Sequence, residues 1–233
     1  MQRRDLIRLA GLAWPALIAG RFADAAPALP AAAATKPVPA TGEPVPVIGM
    51  GTWITFNVGD DPAAIASRAE VLRAFFGAGG GMVDSSPMYG SAEAVLGATL
   101  GTLGYPSGLF SATKVWTGSG EDGPGEMAES ARLWGVERFD LLQVHNLLAW
   151  EEHLETLKAM KARGRVRYIG VTTSHGRRHR ELAQVMEQEP IDFVQLTYNI
   201  ADREAEARLL PLAAERGIAV IANRPFRRGE LIE

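Results

Sequence analysis

The sequence predicts an α/β protein in which parallel strands alternate with helices, as in a TIM (β/α)8 barrel. Short apolar and β-branched runs alternate with amphipathic stretches of helical length. The runs at 139–145 and 219–222 are apolar over most of their length, which is typical of strands buried on both faces. A strand followed by a helix is the repeating unit of such a barrel, so we expect a parallel barrel rather than an antiparallel sheet.

Seven strands and six helices are predicted in strict alternation. The strands cover residues 45–53, 81–86, 109–116, 139–145, 166–173, 193–199 and 219–226. The helices cover residues 62–78, 92–100, 125–134, 150–163, 178–188 and 203–216. Glycines follow four of these helices, where a left-handed residue ends a helix.

The seventh strand lies so close to the last residue, Glu233, that the final helix, strand and helix of an eight-stranded barrel have no place. We therefore expect a barrel truncated at its C-terminal side, with unpaired strand edges on both sides of a gap. The expectation is that the chain is a fragment of a longer protein, or that a second copy or another partner covers the open edge.

Residues 1–25 predict an export signal. The paired Arg3 and Arg4 precede an apolar stretch, and Ala-Asp-Ala at 23–25 is a small-residue cleavage pattern. The paired arginines are similar to a twin-arginine signal, so we expect a periplasmic or exported protein, or a cytoplasmic one if the signal does not function. The apolar stretch is shorter than the roughly 20 residues that span a bilayer, so membrane contact is expected only through an uncleaved signal.

Composition after the signal indicates a linker and one globular domain. Residues 26–44 are rich in Ala and Pro and predict a linker, and residues 45–233 form the predicted barrel domain. The 233 residues are 47% hydrophobic and 22% charged, with a net charge of −3 and no cysteine, so no disulfide is expected. The basic runs lie among acidic residues without interleaved aromatics, so we expect no nucleic-acid partner.

Four polar side chains stand at or just past the ends of three successive predicted strands. They are Asp84, Tyr89, Lys114 and His145. In a barrel these strand ends share one face, so we expect one pocket. A phenol donates a proton at neutral pH when a cation such as Lys114 stabilises its phenolate, and Asp84 can hold that cation in place. His145 can hydrogen-bond a substrate oxygen, so the set suits protonation of a carbonyl oxygen while a cofactor supplies hydride.

Six motifs in order extend this pattern along the chain. They are GMGTW, VDSSPMYG, ATK, DLLQVH, YIGVTT and QLTYN. Together they resemble the aldo-keto reductases, over residues 45–226. The resemblance implies a barrel that reduces aldehydes and ketones with NADPH, in which Tyr89 is the general acid, Lys114 and Asp84 tune it, and His145 orients the carbonyl.

The same resemblance implies a cofactor site for NADPH, with NADH as the alternative. Its expected residues are Gly51, Thr52, Trp53, Thr172, Thr173, Gln195, Asn223 and Arg224. Thr172 and Thr173 replace the family's Ser-Asn pair. Asn223 and Arg224 stand where the family has an aromatic residue and Ser, so the ring that stacks on nicotinamide is missing.

Other readings of the same residues predict different functions. A barrel with the altered hydride side could bind a cofactor or partner protein without catalysis. An aldolase would need Lys114 as a Schiff-base amine with a lowered pKa, which Asp84 opposes. His175 and His179 have the spacing of metal ligands on a helix, but the arginines around them oppose a cation, so no metal is expected.

Overall fold

The computed structural model describes residues 33–232, which form one curled parallel sheet with helices on its outer side. The predicted export signal, residues 1–25, and the first part of the predicted linker lie outside the described residues. Among the described residues, no helix is both long and apolar enough to cross a membrane.

The elements follow the predicted alternation after an N-terminal hairpin. The hairpin consists of β1 (Thr35–Pro37) and β2 (Pro44–Pro46). The sheet strands are β3 (Met50–Gly51), β4 (Met82–Asp84), β5 (Phe110–Val115), β6 (Phe139–Val144), β7 (Val166–Thr172), β8 (Phe193–Thr197) and β9 (Ala219–Asn223). The helices are α1 (Pro62–Gly77), α2 (Ala92–Leu103), α3 (Gly123–Trp134), α4 (Trp150–Ala162), α5 (His179–Gln188) and α6 (Leu209–Arg216).

The seven sheet strands lie in sequence order and every neighbouring pair is parallel, which confirms the predicted incomplete barrel. Every residue of β5 and β8 is buried, as expected for strands with the barrel interior on one side and helices on the other. The larger core cluster lies between the sheet and the helices. All strand ends that carry the predicted site therefore open on one face.

The prediction of a linker at 26–44 is wrong for its second half, which forms the hairpin. Val38 and Val45 are buried in a second core cluster together with residues such as Phe110 and Phe193. Val45 lies in β2 rather than in the sheet, so the predicted first strand, 45–53, is split and only β3 joins the barrel. The Ala- and Pro-rich composition does not indicate that these valines are buried, because their burial depends on strands that are distant in the sequence.

The last helix also differs from its predicted range of 203–216. A 3-10 turn covers Glu204–Ala207, and α6 begins only at Leu209. Pro211 explains the break, because a proline ring clashes with the carbonyl four residues earlier and so is tolerated only in the first turn of a helix.

A glycine sets the closest approach between two outer helices. A Cβ atom on Gly97 of α2 would lie 1.8 Å from the carbonyl oxygen of Leu133 in α3. Only a residue without a side chain allows this approach. The contact places α2, which follows the turn carrying Tyr89, firmly against its neighbour.

Candidate active site

The structure brings the four predicted catalytic residues together at the C-terminal ends of neighbouring strands. Asp84 ends β4, and Tyr89 closes a 3-10 turn (Pro87–Tyr89) just beyond it. Lys114 is the last residue but one of β5, and His145 follows β6 directly. Parallel pairing places these ends on one face, as the strand order predicts.

Lys114 is a buried cation held by two oxygens. Its side chain is 1% exposed, and its Nζ donates to Asp84 Oδ2 and to the Ser85 carbonyl oxygen, each at 2.7 Å. Burial alone would lower the pKa of Lys114, but Asp84 and Tyr89 outweigh it and the pKa is raised. Lys114 is therefore a permanent ammonium at neutral pH, which argues against a Schiff-base role.

Tyr89 packs between that cation and the histidine. Lys114 Nζ is 5.2 Å from the centroid of the Tyr89 ring, and the Tyr89 and His145 rings pack edge to face with their centroids 5.7 Å apart. Burial raises the pKa of Tyr89, and this outweighs Lys114, which lowers it, while Asp84 adds a smaller rise. Lys114 thus acts in the expected direction, but the phenol keeps its proton well beyond neutral pH.

His145 is a neutral imidazole in this pocket. It is 5% exposed, and its Nδ1 lies 2.8 Å from Ser86 Oγ. Burial, followed by the charge of Lys114, lowers the pKa of His145 to about 3. A neutral ring has one donor and one acceptor nitrogen, so it can offer a hydrogen bond without adding charge.

Sequence patterns missed three residues that support these groups. Ser85 and Ser86 contact Lys114 and His145 as described, and Gln143 Nε2 donates to Asp84 Oδ1 at 3.3 Å. Gln143 precedes His145 by two positions, the period at which residues of one strand share a face. The two serines directly follow Asp84 in the same motif. Their position next to Asp84 is the sequence feature that could have identified them.

The predicted cofactor residues lie on the same face, at or near the ends of β3, β7, β8 and β9. Three of them are engaged within the protein. The Thr52 hydroxyl donates to Ser85 Oγ at 2.8 Å, and the Thr172 hydroxyl accepts from the backbone N–H of Asn146 at 3.0 Å. The Asn223 amide accepts from Thr197 at 2.7 Å and donates to the Thr173 carbonyl oxygen. Asn223 therefore links β9 to β8 and to the residue that follows β7.

Two other predicted cofactor residues have polar atoms that suit a ligand. The Thr173 hydroxyl and the Arg224 Nε atom are buried, and neither has a hydrogen-bond partner among residues 33–232. Buried polar atoms are normally paired, so these two fit a polar group such as a carboxamide or phosphate. Gln195, 6% exposed in β8, lies at the same end of the sheet.

The rim of this face combines exposed apolar side chains with a basic one. Trp53, Met88 and Trp116 are exposed aromatic or apolar residues after β3, β4 and β5, and the Trp116 ring is 6.5 Å from that of His145. Next to these residues, Arg228 stacks on Trp53 with its guanidinium 4.3 Å from the ring centroid. Such a rim offers apolar surface to a carbonyl compound and a cation to an anionic group.

His175 and His179 do not lie on one helix, contrary to expectation. His175 is exposed in the loop before α5, and His179 is the first residue of that helix. The pKa of His175 is lowered by burial and then by Arg224, Arg177 and Arg228. These cations disfavour a bound metal, and residues 33–232 contain no cluster of three metal-ligating side chains.

Comparison with known proteins identifies related sequences and structures. A model of the aldo/keto reductase family matches residues 47–233. The methylglyoxal reductase YeaE of Escherichia coli K12 is 28% identical over 183 residues, which are 77% of this chain and 63% of that protein. An NADH-specific methylglyoxal reductase of the same organism is 30% identical over 116 residues, which are 46% of this chain and 33% of that protein.

A solved structure shows the same fold. The aldo/keto reductase of Klebsiella pneumoniae in complex with NADP and acetate is 25% identical, with a TM-score of 0.68, and the match covers 82% of this chain and 69% of that one. The chain spans less than two thirds of the length of either Escherichia coli relative, 63% and 33%.

Proposed function

Because the chain belongs to the aldo/keto reductase family, we propose that it reduces an aldehyde or ketone to the alcohol with a reduced nicotinamide cofactor. The observation that carries the proposal is the buried ion pair of Lys114 and Asp84, 2.7 Å long, beside the ring of Tyr89. Burying two charges is costly, and such groups cluster at functional sites, where this pair adjoins a proton donor.

Each residue of the proposed site has its own role in the proton transfer. Tyr89 donates its phenolic proton to the carbonyl oxygen, and Lys114 stabilises the phenolate that remains. Asp84 holds Lys114, and Gln143 holds the second carboxylate oxygen of Asp84 at 3.3 Å. His145, neutral in the pocket, orients the carbonyl by a hydrogen bond. A bound reduced nicotinamide supplies the hydride to the carbonyl carbon.

We expect Thr173, Gln195 and Arg224 to hold the cofactor, because the first and last have unpartnered buried atoms. NADPH is the proposed cofactor, since a related structure contains NADP, and NADH is the alternative. Calorimetric titration of the purified protein with each nucleotide decides between them. Arg224→Leu should weaken binding if the guanidinium meets the cofactor, and an unchanged affinity would remove Arg224 from the site.

The substrate we propose is a small carbonyl compound that fits the apolar side chains of the rim. Trp53, Met88 and Trp116 offer it apolar surface close to His145. Methylglyoxal is the first compound to assay, because two relatives are named for its reduction, and benzaldehyde tests the aromatic wall.

The decisive experiment removes one hydroxyl. Tyr89→Phe should lower the rate of NADPH oxidation with methylglyoxal by about a hundredfold or more, the usual contribution of a general acid. Tyr105→Phe is the matched control, because its hydroxyl only donates to the Trp134 carbonyl oxygen at 3.3 Å, away from the pocket. Equal rates for wild type and Tyr89→Phe would contradict the proposal.

A second candidate is a barrel that binds a cofactor or a partner protein without turnover. The observation that favours it is Asn223, whose amide is engaged by Thr197 and Thr173 where the family has a stacking ring. Nucleotide binding by calorimetry without turnover of any of a broad set of aldehydes would support it. Turnover of one aldehyde excludes it.

We further propose that the protein is exported through the signal in residues 1–25, with Arg3 and Arg4 as its twin arginines. This rests on the sequence alone. Cell fractionation of the wild type and of an Arg3→Lys, Arg4→Lys double variant tests it. We expect the wild type in the periplasm and the variant retained in the cytoplasm, and identical distributions would contradict the twin-arginine route.

A further inference from the structure

Ser86 joins the two groups on opposite sides of the proposed proton transfer. Its backbone is extended, with φ −165° and ψ 147°, and it caps the short turn that ends at Tyr89. Its side chain is fully buried, accepts a hydrogen bond from the Met88 amide at 3.2 Å, and lies 2.8 Å from His145 Nδ1. One hydroxyl therefore contacts both the Tyr89 turn and the histidine.

Hydrogen-bond accounting decides the direction of the contact between Ser86 and His145. The Ser86 hydroxyl has one proton and already accepts from Met88. Among residues 33–232, His145 Nδ1 is the acceptor within its reach. If Nδ1 carried the proton instead, the Ser86 proton would be buried without an acceptor, which native proteins avoid. Ser86 therefore donates and Nδ1 accepts.

We propose that Ser86 is a positioning residue that sets the tautomer of His145, so that the imidazole carries its proton on Nε2 and donates a hydrogen bond from there to the substrate carbonyl oxygen. The catalytic part of this inference rests on the proposed reductase function, whereas the tautomer does not. In functional histidines, the hydrogen bond made by one ring nitrogen commonly determines whether the other nitrogen carries the proton.

Nitrogen NMR of the imidazoles tests the tautomer without turnover. The protein has four histidines, and His145→Asn identifies the resonances of His145. In the wild type we expect Nδ1 at the shift of an unprotonated nitrogen and Nε2 at that of a protonated one between about pH 5 and 9. Ser86→Ala should move both shifts toward a mixture of tautomers, and Ser86→Thr, which keeps a hydroxyl, should not.

Ser130→Ala is the matched control, because Ser130 is buried and donates a hydrogen bond of the same length, 2.8 Å, to Glu93 on the outer side of the sheet. It should leave the His145 shifts unchanged. A wild type with Nδ1 protonated would overturn the proposal, and so would a Ser86→Ala protein with wild-type shifts. The wild-type spectrum decides the tautomer even where Ser86→Ala does not fold.

Kinetics test the consequence for catalysis. With methylglyoxal and NADPH, Ser86→Ala should lower kcat about tenfold more than it raises KM, because the donor matters most as charge develops on the oxygen. Ser86→Thr should recover most of the rate. Full kcat in Ser86→Ala would overturn the positioning role. An inactive wild type with the expected tautomer would overturn the reductase function and still support the contact.

Discussion

His145 shows how burial at a single residue defines the chemistry of this site. An exposed imidazole titrates near neutrality, yet here burial and the neighbouring Lys114 lower its pKa to about 3. The ring can therefore donate a hydrogen bond across the whole physiological range without competing with Lys114 for charge. The same burial raises the pKa of Tyr89, so that the phenol remains a proton donor.

The lowered pKa of His145 makes stability depend on acid. Between about pH 6.5 and 3 the unfolded chain binds a proton at His145 that the folded protein does not, so the free energy of unfolding should fall as pH decreases. The limit for one group is about 1.4 kcal/mol per pH unit. Urea unfolding at pH 7 and pH 4.5 should show a smaller loss for His145→Gln than for the wild type.

His179→Gln serves as the control for that measurement, because it replaces a histidine at the start of α5 and leaves His145 intact, so the steep acid dependence should remain. Identical pH dependence in His145→Gln and the wild type would show that His145 titrates normally in the folded protein.

At the scale of elements, the N-terminal hairpin covers the end of the sheet at which the parallel strands begin. Val38 and Val45 fill the interior beside Phe110, and Glu43 forms an ion pair with Arg167. The Glu43 pKa is lowered, because hydrogen bonds from Tyr168 and Arg167 outweigh its burial. The hairpin thus seals the end opposite the pocket by both apolar packing and charge.

The packing of α2 predicts opposite effects on stability for two glycine substitutions in that helix, so that one serves as the control for the other. Gly97→Ala should destabilise the protein by about 3 kcal/mol, because the new methyl group would overlap the Leu133 carbonyl oxygen, 1.8 Å away. Gly101→Ala, in the same helix with open space around it, should stabilise by up to about 1 kcal/mol. Urea unfolding of both variants measures the pair, and equal effects would contradict the close approach.

At the scale of the whole molecule, the sheet presents two open edges. Strands β3 and β9 have no further strand neighbour among the described residues, and β9 is the least buried of the long strands. Val220, the second residue of this edge strand, is 40% exposed. Unpaired edges with exposed apolar residues favour association, so we propose that a second copy or another partner covers β9.

Val220→Lys tests that proposal, because a charge on an edge strand opposes pairing. We expect the wild type to associate at micromolar concentration in sedimentation experiments and Val220→Lys to shift toward the monomer. Val71→Lys is the matched control, because Val71 is 49% exposed on helix α1 rather than on an edge strand. A wild type that stays monomeric throughout would contradict self-association and leave a different partner as the occupant.

The sequence by itself determined the alternation of strands and helices, because apolar periodicity is a local property of the chain. It also predicted that Asp84, Tyr89, Lys114 and His145 lie together, since parallel strand ends share one face in any such barrel. Motif order was sufficient for the family. These features needed only spacing and topology.

Only the tertiary structure decided the features that depend on partners distant in the chain. It showed that residues 35–46 form a hairpin and that Asn223 is engaged by Thr197. It also placed Ser86 against His145, 59 positions away. The structure also decided the direction of the pKa shift at Tyr89. Burial raises this pKa and the charge of Lys114 lowers it, and only the degree of burial shows that the first effect is larger.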